Sequence, residues 1–119
     1  MHCVQNTQGA ELAANLQPKV VSARIYTGTD PRVDSYSGFF DNQRKRATGL
    51  ETLLRQHGAD DLTIVGLATD YCVKATVLDA RDLGFNVTVH ENACRAVNLS
   101  PDDGTKTLAA MREAGVRVA

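Results

Sequence analysis

The chain has 119 residues, enough for one domain and no more. Its 43% hydrophobic content fits a globular core, and a net charge of −1 removes the electrostatic case for nucleic acid or an anionic membrane as partner. No apolar run is long enough to span a bilayer and no signal-peptide pattern opens the chain; the three cysteines, Cys3, Cys72 and Cys94, fit neither a disulfide framework nor a C-x-x-C metal site, so reduced thiols in a cytoplasm are expected.

His2, by its own chemistry, reads as an exposed residue near a terminus, and Cys3 as a packing residue. Residues 9–16 suggest a turn with a short helical stub through Glu11, Leu12, Ala13 and Leu16, stopped by Pro18. Residues 19–26 (KVVSARIY) read as a strand with Val20, Val21 and Ile25 as its apolar members. Asp30-Pro31 opens a loop with aromatic content in Tyr36, Phe39 and Phe40; Tyr36 either lines a pocket or covers a sheet edge, and the residues alone leave both open. The basic run 42–46 (NQRKR) has no aromatic interleaving and reads as a solvated face. Thr48-Gly-Leu-Glu51 has the form of a capping box, ahead of a helix with Leu50, Leu53 and Leu54 as its apolar stripe, His57 in its last turn and Gly58 at its end.

The stretch that organises the rest is 62–84, LTIVGLATDYCVKATVLDARDLG. Leu62, Thr63, Ile64 and Val65 read as a buried strand that Gly66 ends. From Asp70 the pattern becomes helical, with Val73, Val77 and Ala80 at i, i+4 and i+7 and Gly84 at the C-terminal position. The chain therefore turns sharply across 67–70, and Cys72 falls in the first helical turn at the rim of the sheet. A thiol there feels the positive end of the helix dipole, which favours a sulfur anion, and free backbone N–H groups nearby could hold an oxyanion. Placement of this kind suits a nucleophile, as in the strand-to-helix elbow that hydrolases build around serine. A buried, inert cysteine is the competing reading, and spacing does not decide between them.

Residues 85–90 alternate as a strand, with Phe85, Val87 and Val89 on one face and His90 as a polar edge residue. Residues 91–98 (ENACRAVN) read as a loop holding Cys94, to which no chemistry is assigned. Ser100 is placed to cap a helix with Pro101 at its first position; Leu108, Met111 and Ala114 form its buried stripe, Gly115 ends it, and 116–118 close the chain as a strand. Strands alternating with helices imply an α/β fold with a mostly parallel sheet covered on both faces, whose ligands bind beyond the carboxyl ends of the strands.

The wording of three stretches goes further. GLATDYCVKATVLDA resembles the cysteine-loop signature of the isochorismatase-like cysteine hydrolases and, among them, the nicotinamidase branch. YTGTDPRVDSYSGFF (26–40) resembles the substrate-side loop of that branch, and HCVQNTQGAEL (2–12) the segment bearing one of its metal-binding histidines. The motifs stand in family order and span essentially the whole chain. The resemblance implies a three-layer α/β/α sandwich, here incomplete and lacking the first two strands, with 1–119 as a partial isochorismatase-like hydrolase domain. It implies cleavage of nicotinamide to nicotinate and ammonia through a cysteine thioester, in a cytoplasmic NAD-salvage setting. Cys72 is the implied nucleophile. Ala68 is implied as a catalytic residue, its N–H joining that of Cys72 at the oxyanion across a cis Leu67–Ala68 peptide. Tyr36, Leu67 and Tyr71 are the implied substrate contacts, and His2 an implied ligand of a divalent metal, zinc in the first instance. The implied partner is a small-molecule amide, and the reading leaves a homo-oligomer open. Two departures bear on catalysis. The aspartate that the family carries on its first strand has no counterpart here, and the position of its active-site lysine is Thr27, which is neutral and short. The alternative is therefore a non-catalytic remnant that binds a small aromatic amide or a partner chain. Loss of the first strand is further expected to leave a vacancy between 19–26 and the strand at 62–65.

Overall fold

The computed structural model describes residues 6–7, 23–29, 32–42, 44 and 46–119. His2, Cys3, the expected helical stub at 9–16 and residues 19–22 of the expected strand lie outside the described residues. Residues 23–26, the remainder of that strand, adopt no regular structure.

β1 (Asp61–Leu67) is an alternating strand: Leu62 and Ile64 pack against the core, while Thr63, Val65 and Leu67 face the other way and are exposed. The Leu67–Ala68 peptide is cis. A single wide turn of π type then spans Thr69–Val73, in which the Val73 N–H donates to the Ala68 carbonyl at 3.0 Å. Only after it does the regular helix α2 begin, Lys74–Asp82. The expected stripe of Val73, Val77 and Ala80 is buried, and Gly84 follows the helix end at φ 93°, a conformation that suits glycine.

β2 (Asn86–Arg95) lies parallel to β1 and is longer than the sequence pattern indicates. The pairing is regular to Ile64–Val89, slips, and resumes at Gly66–Cys94, so β2 carries extra residues against two steps of β1. Glu91, Asn92 and Ala93 break the alternation inside this irregularity, which is why 91–98 reads as a loop in isolation; paired Cys94 and Arg95 belong to the strand. Helix α3 (Asp103–Glu113) leads to the short β3 (Arg117–Val118), parallel to β2, in the order β1-β2-β3. Ser100 does not cap α3: Asp102 takes the N-cap position, and Ser100 and Asp103 instead bond reciprocally in the turn before it. The short helix α1 (Leu50–Gln56), which precedes β1, has Gly49 at its N-cap and no side-chain cap. The Thr48 hydroxyl is drawn away from the expected capping box: it donates to the Gly38 carbonyl while accepting the Leu50 N–H.

One hydrophobic cluster joins these elements. Val77, Ala80, Phe85, Val89 and Met111 have no exposed surface, Phe39 stacks on Phe85 from the loop side, and Leu50, Leu62 and Ile64 pack around them. The α/β class and the parallel, incomplete sheet are as expected. Among the described residues β1 is the outer strand of this sheet, and on its uncovered face Val65 is 50% and Leu67 72% exposed, which marks that side as unprotected. Arg44 is exposed, as expected of the basic run, and also pairs with Asp79 and Asp82 and lies 5.1 Å over the Phe40 ring, tying the aromatic loop to α2. Truncation of Met111 to alanine should lower the unfolding free energy by about 2–5 kcal/mol, because the side chain is fully enclosed. Urea titration measures this, with Arg112→Ala, whose exposed ion pair to Glu91 spans 3.8 Å, as the near-neutral control.

Candidate active site

The wide turn decides how Cys72 is presented. Thr69 and Val73 are the turn's buried residues, so the segment between them is carried along the protein's rim. Cys72 is half-buried, whereas Cys94 is enclosed in the core. Ala68 precedes the turn with extended backbone, φ −104° and ψ 147°, and Leu67 is exposed at the strand end beside it.

The two segments that converge here are the turn and the aromatic loop. The rings of Tyr36 and Tyr71 meet edge to face at 5.5 Å, with an interplanar angle of 69°. Tyr71 is the chain neighbour of Cys72, so Tyr36, Tyr71, Cys72, Ala68 and Leu67 gather at one end of β1. His2 lies outside the described residues. The convergence is an aromatic contact, and among the described residues a cavity of about 430 Å³ includes Thr69, Asn92, Cys94 and Arg112 and another of about 190 Å³ includes Thr27, Ser35 and Arg46. Thr27 is exposed, and its hydroxyl donates to the Ser37 carbonyl at 3.2 Å. It therefore contributes to loop structure and brings no charge.

The Isochorismatase domain profile matches residues 1–119. The chain belongs to the isochorismatase-like family. Among relatives of this isochorismatase-like chain, the nicotinamidase of Escherichia coli K12 is 50% identical over 114 residues, covering 96% of this chain and 54% of the relative. The yeast nicotinamidase bound to the inhibitor nicotinaldehyde superimposes with a TM-score of 0.92 at 30% identity, covering 100% of this chain and 56% of that one. The pyrazinamidase of Pyrococcus horikoshii in complex with zinc superimposes with a TM-score of 0.80 at 36% identity, covering 100% and 61%. The isochorismatase-like chain thus spans about half the length of the curated relatives it matches.

Two side chains within the 66–80 stretch, Asp70 and Thr76, support the site although sequence reasoning assigns them no role. Asp70 accepts the Val97 and Asn98 N–H groups, each at 2.9 Å, and so ties the turn to the segment after β2. The Asn98 side-chain oxygen in turn accepts the Gly104 N–H at 2.8 Å at the start of α3. Thr76 accepts the Gly38 N–H at 2.9 Å and donates to the Cys72 carbonyl at 2.7 Å. The only local signals are an aspartate at the start of a helix and a threonine four residues after Cys72, both residue types that bond to nearby backbone.

Desolvation pushes the Asp70 carboxyl up, but the N–H groups of Val97, Asn98 and Asp70 itself, with the charge of Lys74, outweigh it and hold the group below its ordinary 3.8. The folded form therefore binds this proton less readily than the unfolded chain. Its stabilising contribution is complete above pH 3.8 and is lost as pH falls through the lower folded value. Asp70→Asn should accordingly be less stable than the parent at neutral pH, with the difference narrowing below pH 3.8, as read by chemical denaturation across an acid series.

Proposed function

We propose that this chain carries the nucleophile half of a nicotinamidase-type amidohydrolase, with Cys72 attacking the carboxamide carbon of nicotinamide or a close aromatic amide. The observation that carries this reading is the placement of a half-buried thiol on a strand-to-helix turn, with the Tyr36–Tyr71 pair alongside it, in a chain half identical to a nicotinamidase. In this reading a flat heteroaromatic ring lies against the tyrosines, with Leu67 as an apolar neighbour, and its carbonyl is aimed at Sγ. The sulfur forms a bond to the carbonyl carbon, and the oxyanion that results is held by the backbone N–H groups at Ala68 and Cys72. Collapse of that adduct expels the amine, which takes up a proton and leaves as ammonia. Water then attacks the thioester, releasing nicotinate and restoring the thiol. The setting proposed is cytoplasmic; among the described residues no helix is long and apolar enough to cross a membrane.

The proton transfers need a general acid–base. Asp70 is poorly suited to that role because its carboxylate already accepts two backbone N–H groups. A divalent metal, zinc as in the Pyrococcus neighbour, is part of the proposal through His2. Among the described residues no group of three or more His, Cys, Asp or Glu is placed to hold one, and no step is routed through it.

A second reading, favoured by the neutral Thr27 and its bond to Ser37, is an aromatic-amide binding protein without turnover. Ammonia release from nicotinamide separates the two. The amidohydrolase reading expects release by the purified chain and its loss, by about a hundredfold or more, in Cys72→Ala. Saturable nicotinamide binding without ammonia supports the second reading, and ammonia release that survives removal of the thiol refutes Cys72 as the nucleophile.

A further inference from the structure

Thr76 is the one side chain among the described residues shown to bond to both segments of the candidate site. Its hydroxyl can donate once and accept from others. The donation goes to the carbonyl of Cys72, one turn earlier on the same helix, at 2.7 Å. The lone pair accepts the N–H of Gly38, 38 positions away in the chain, at 2.9 Å. Gly38 lies two residues from Tyr36, and Tyr71 is the neighbour of Cys72. The Tyr36–Tyr71 ring contact and the Thr76 bridge therefore close a circuit that runs from the nucleophile turn to the aromatic loop and back.

The loop is seated on this bridge at ordinary van der Waals contact. A Cβ at Gly38 would stand 3.4 Å from a Leu50 methyl and 3.6 Å from the Thr76 methyl, so the backbone runs directly over the threonine. Thr48 holds the Gly38 carbonyl from the opposite side, and Phe39 is anchored in the core. The Cys72 carbonyl lies where the wide turn gives way to the α-helix, and the hydroxyl supports it there. Bonding of this type bends helices and competes with the regular ladder, so it is informative that it occurs at this junction.

We propose that Thr76 is a positioning residue, setting the spacing between the Tyr36 loop and the Cys72 turn so that an aromatic ring and its carbonyl are received together. The proposal rests on the amide-recognition reading above, but it concerns a different residue and a different observable. Threonine is required for its hydroxyl; valine keeps its shape and loses both bonds, and serine keeps both.

Nicotinaldehyde (pyridine-3-carbaldehyde) is the probe, because recognition can be read without turnover. The thiol adds across the C=O bond: Sγ bonds to the carbonyl carbon, the oxygen takes the thiol proton, and nothing leaves. Iodoacetamide serves as the control, since it alkylates the sulfur with loss of iodide and needs no aromatic contact. The reversible aldehyde adduct is read at equilibrium by native mass spectrometry of the intact parent, Thr76→Val, Thr76→Ser and Cys72→Ala proteins, and alkylation of Cys72 by peptide mass spectrometry, with hydrogen exchange at the Gly38 amide measured in the same proteins. In Thr76→Val, aldehyde affinity is expected to fall about tenfold, iodoacetamide reactivity to stay within about threefold, and Gly38 exchange to quicken about tenfold; Thr76→Ser should restore all three.

Unchanged aldehyde affinity in folded Thr76→Val overturns the proposal. So does an equal loss of aldehyde and iodoacetamide reactivity, which would mark a merely structural role. If the parent takes up the aldehyde no better than Cys72→Ala, the amide-recognition reading fails, and the bridge is then judged by Gly38 exchange: an unchanged rate overturns it, and a rate that rises in valine and recovers in serine supports it.

Discussion

Cys72 stays at the rim because its neighbours are committed elsewhere. Thr69 and Val73 turn into the core, Asp70 is bonded to Val97 and Asn98, and Tyr71 leans on Tyr36. A regular α-helix beginning at Asp70 would distribute these residues at 100° intervals. The wider turn changes that phase, then hands over to a regular helix whose Val77 and Ala80 still meet the sheet. The placement of the sulfur is thus a packing result: two buried anchors four positions apart, with the intervening chain held from outside by a carboxylate and a ring.

The charges near the turn are spent on structure. Asp70 is saturated by backbone N–H groups, and this is also what keeps it ionised in a partly desolvated place. Thr27 stands where the resemblance puts a lysine and uses its hydroxyl on Ser37. The described residues are consequently better equipped to orient a carbonyl against a sulfur than to move protons during turnover. Recognition and chemistry separate here along a physical line: a hydrogen-bonded scaffold suffices for the first, while the second needs a group free to exchange a proton.

The sheet shows a similar asymmetry. Helices α2 and α3 seal the side of β2 that carries Val87 and Val89. On the other side, Val65 and Leu67 of β1 are substantially exposed, at the end of the strand that delivers the turn. Apolar side chains on an outer strand are unprotected surface, and β1 shows no described partner beyond β2. The vacancy expected beside the strand at 62–65 concerns its lateral edge, not this face. The other boundary expected for it, at 19–26, is not seen as a strand over 23–26.

Local periodicity was sufficient for the stripe Val73, Val77 and Ala80 and for the buried face of 85–89, because each depends on residues two to four apart sharing one side of the chain; the strand at 62–65 was placed, but it alternates with Thr63 and Val65 exposed instead of being buried throughout, and of the stripe expected in α3 only Met111 is fully buried, with Thr107. Motif wording, in turn, was sufficient to bring Cys72, Tyr36 and the cis Leu67–Ala68 peptide into view together. It could not show that Thr48 would leave a capping box for Gly38, that β2 would resume pairing at Cys94 after slipping, or that Asp70 and Thr76 would brace the site. Those outcomes depend on partners 10 to 38 positions away. A hydroxyl or carboxylate has equally good local partners, so only the packed chain, by bringing one distant N–H within 2.9 Å, selects among them.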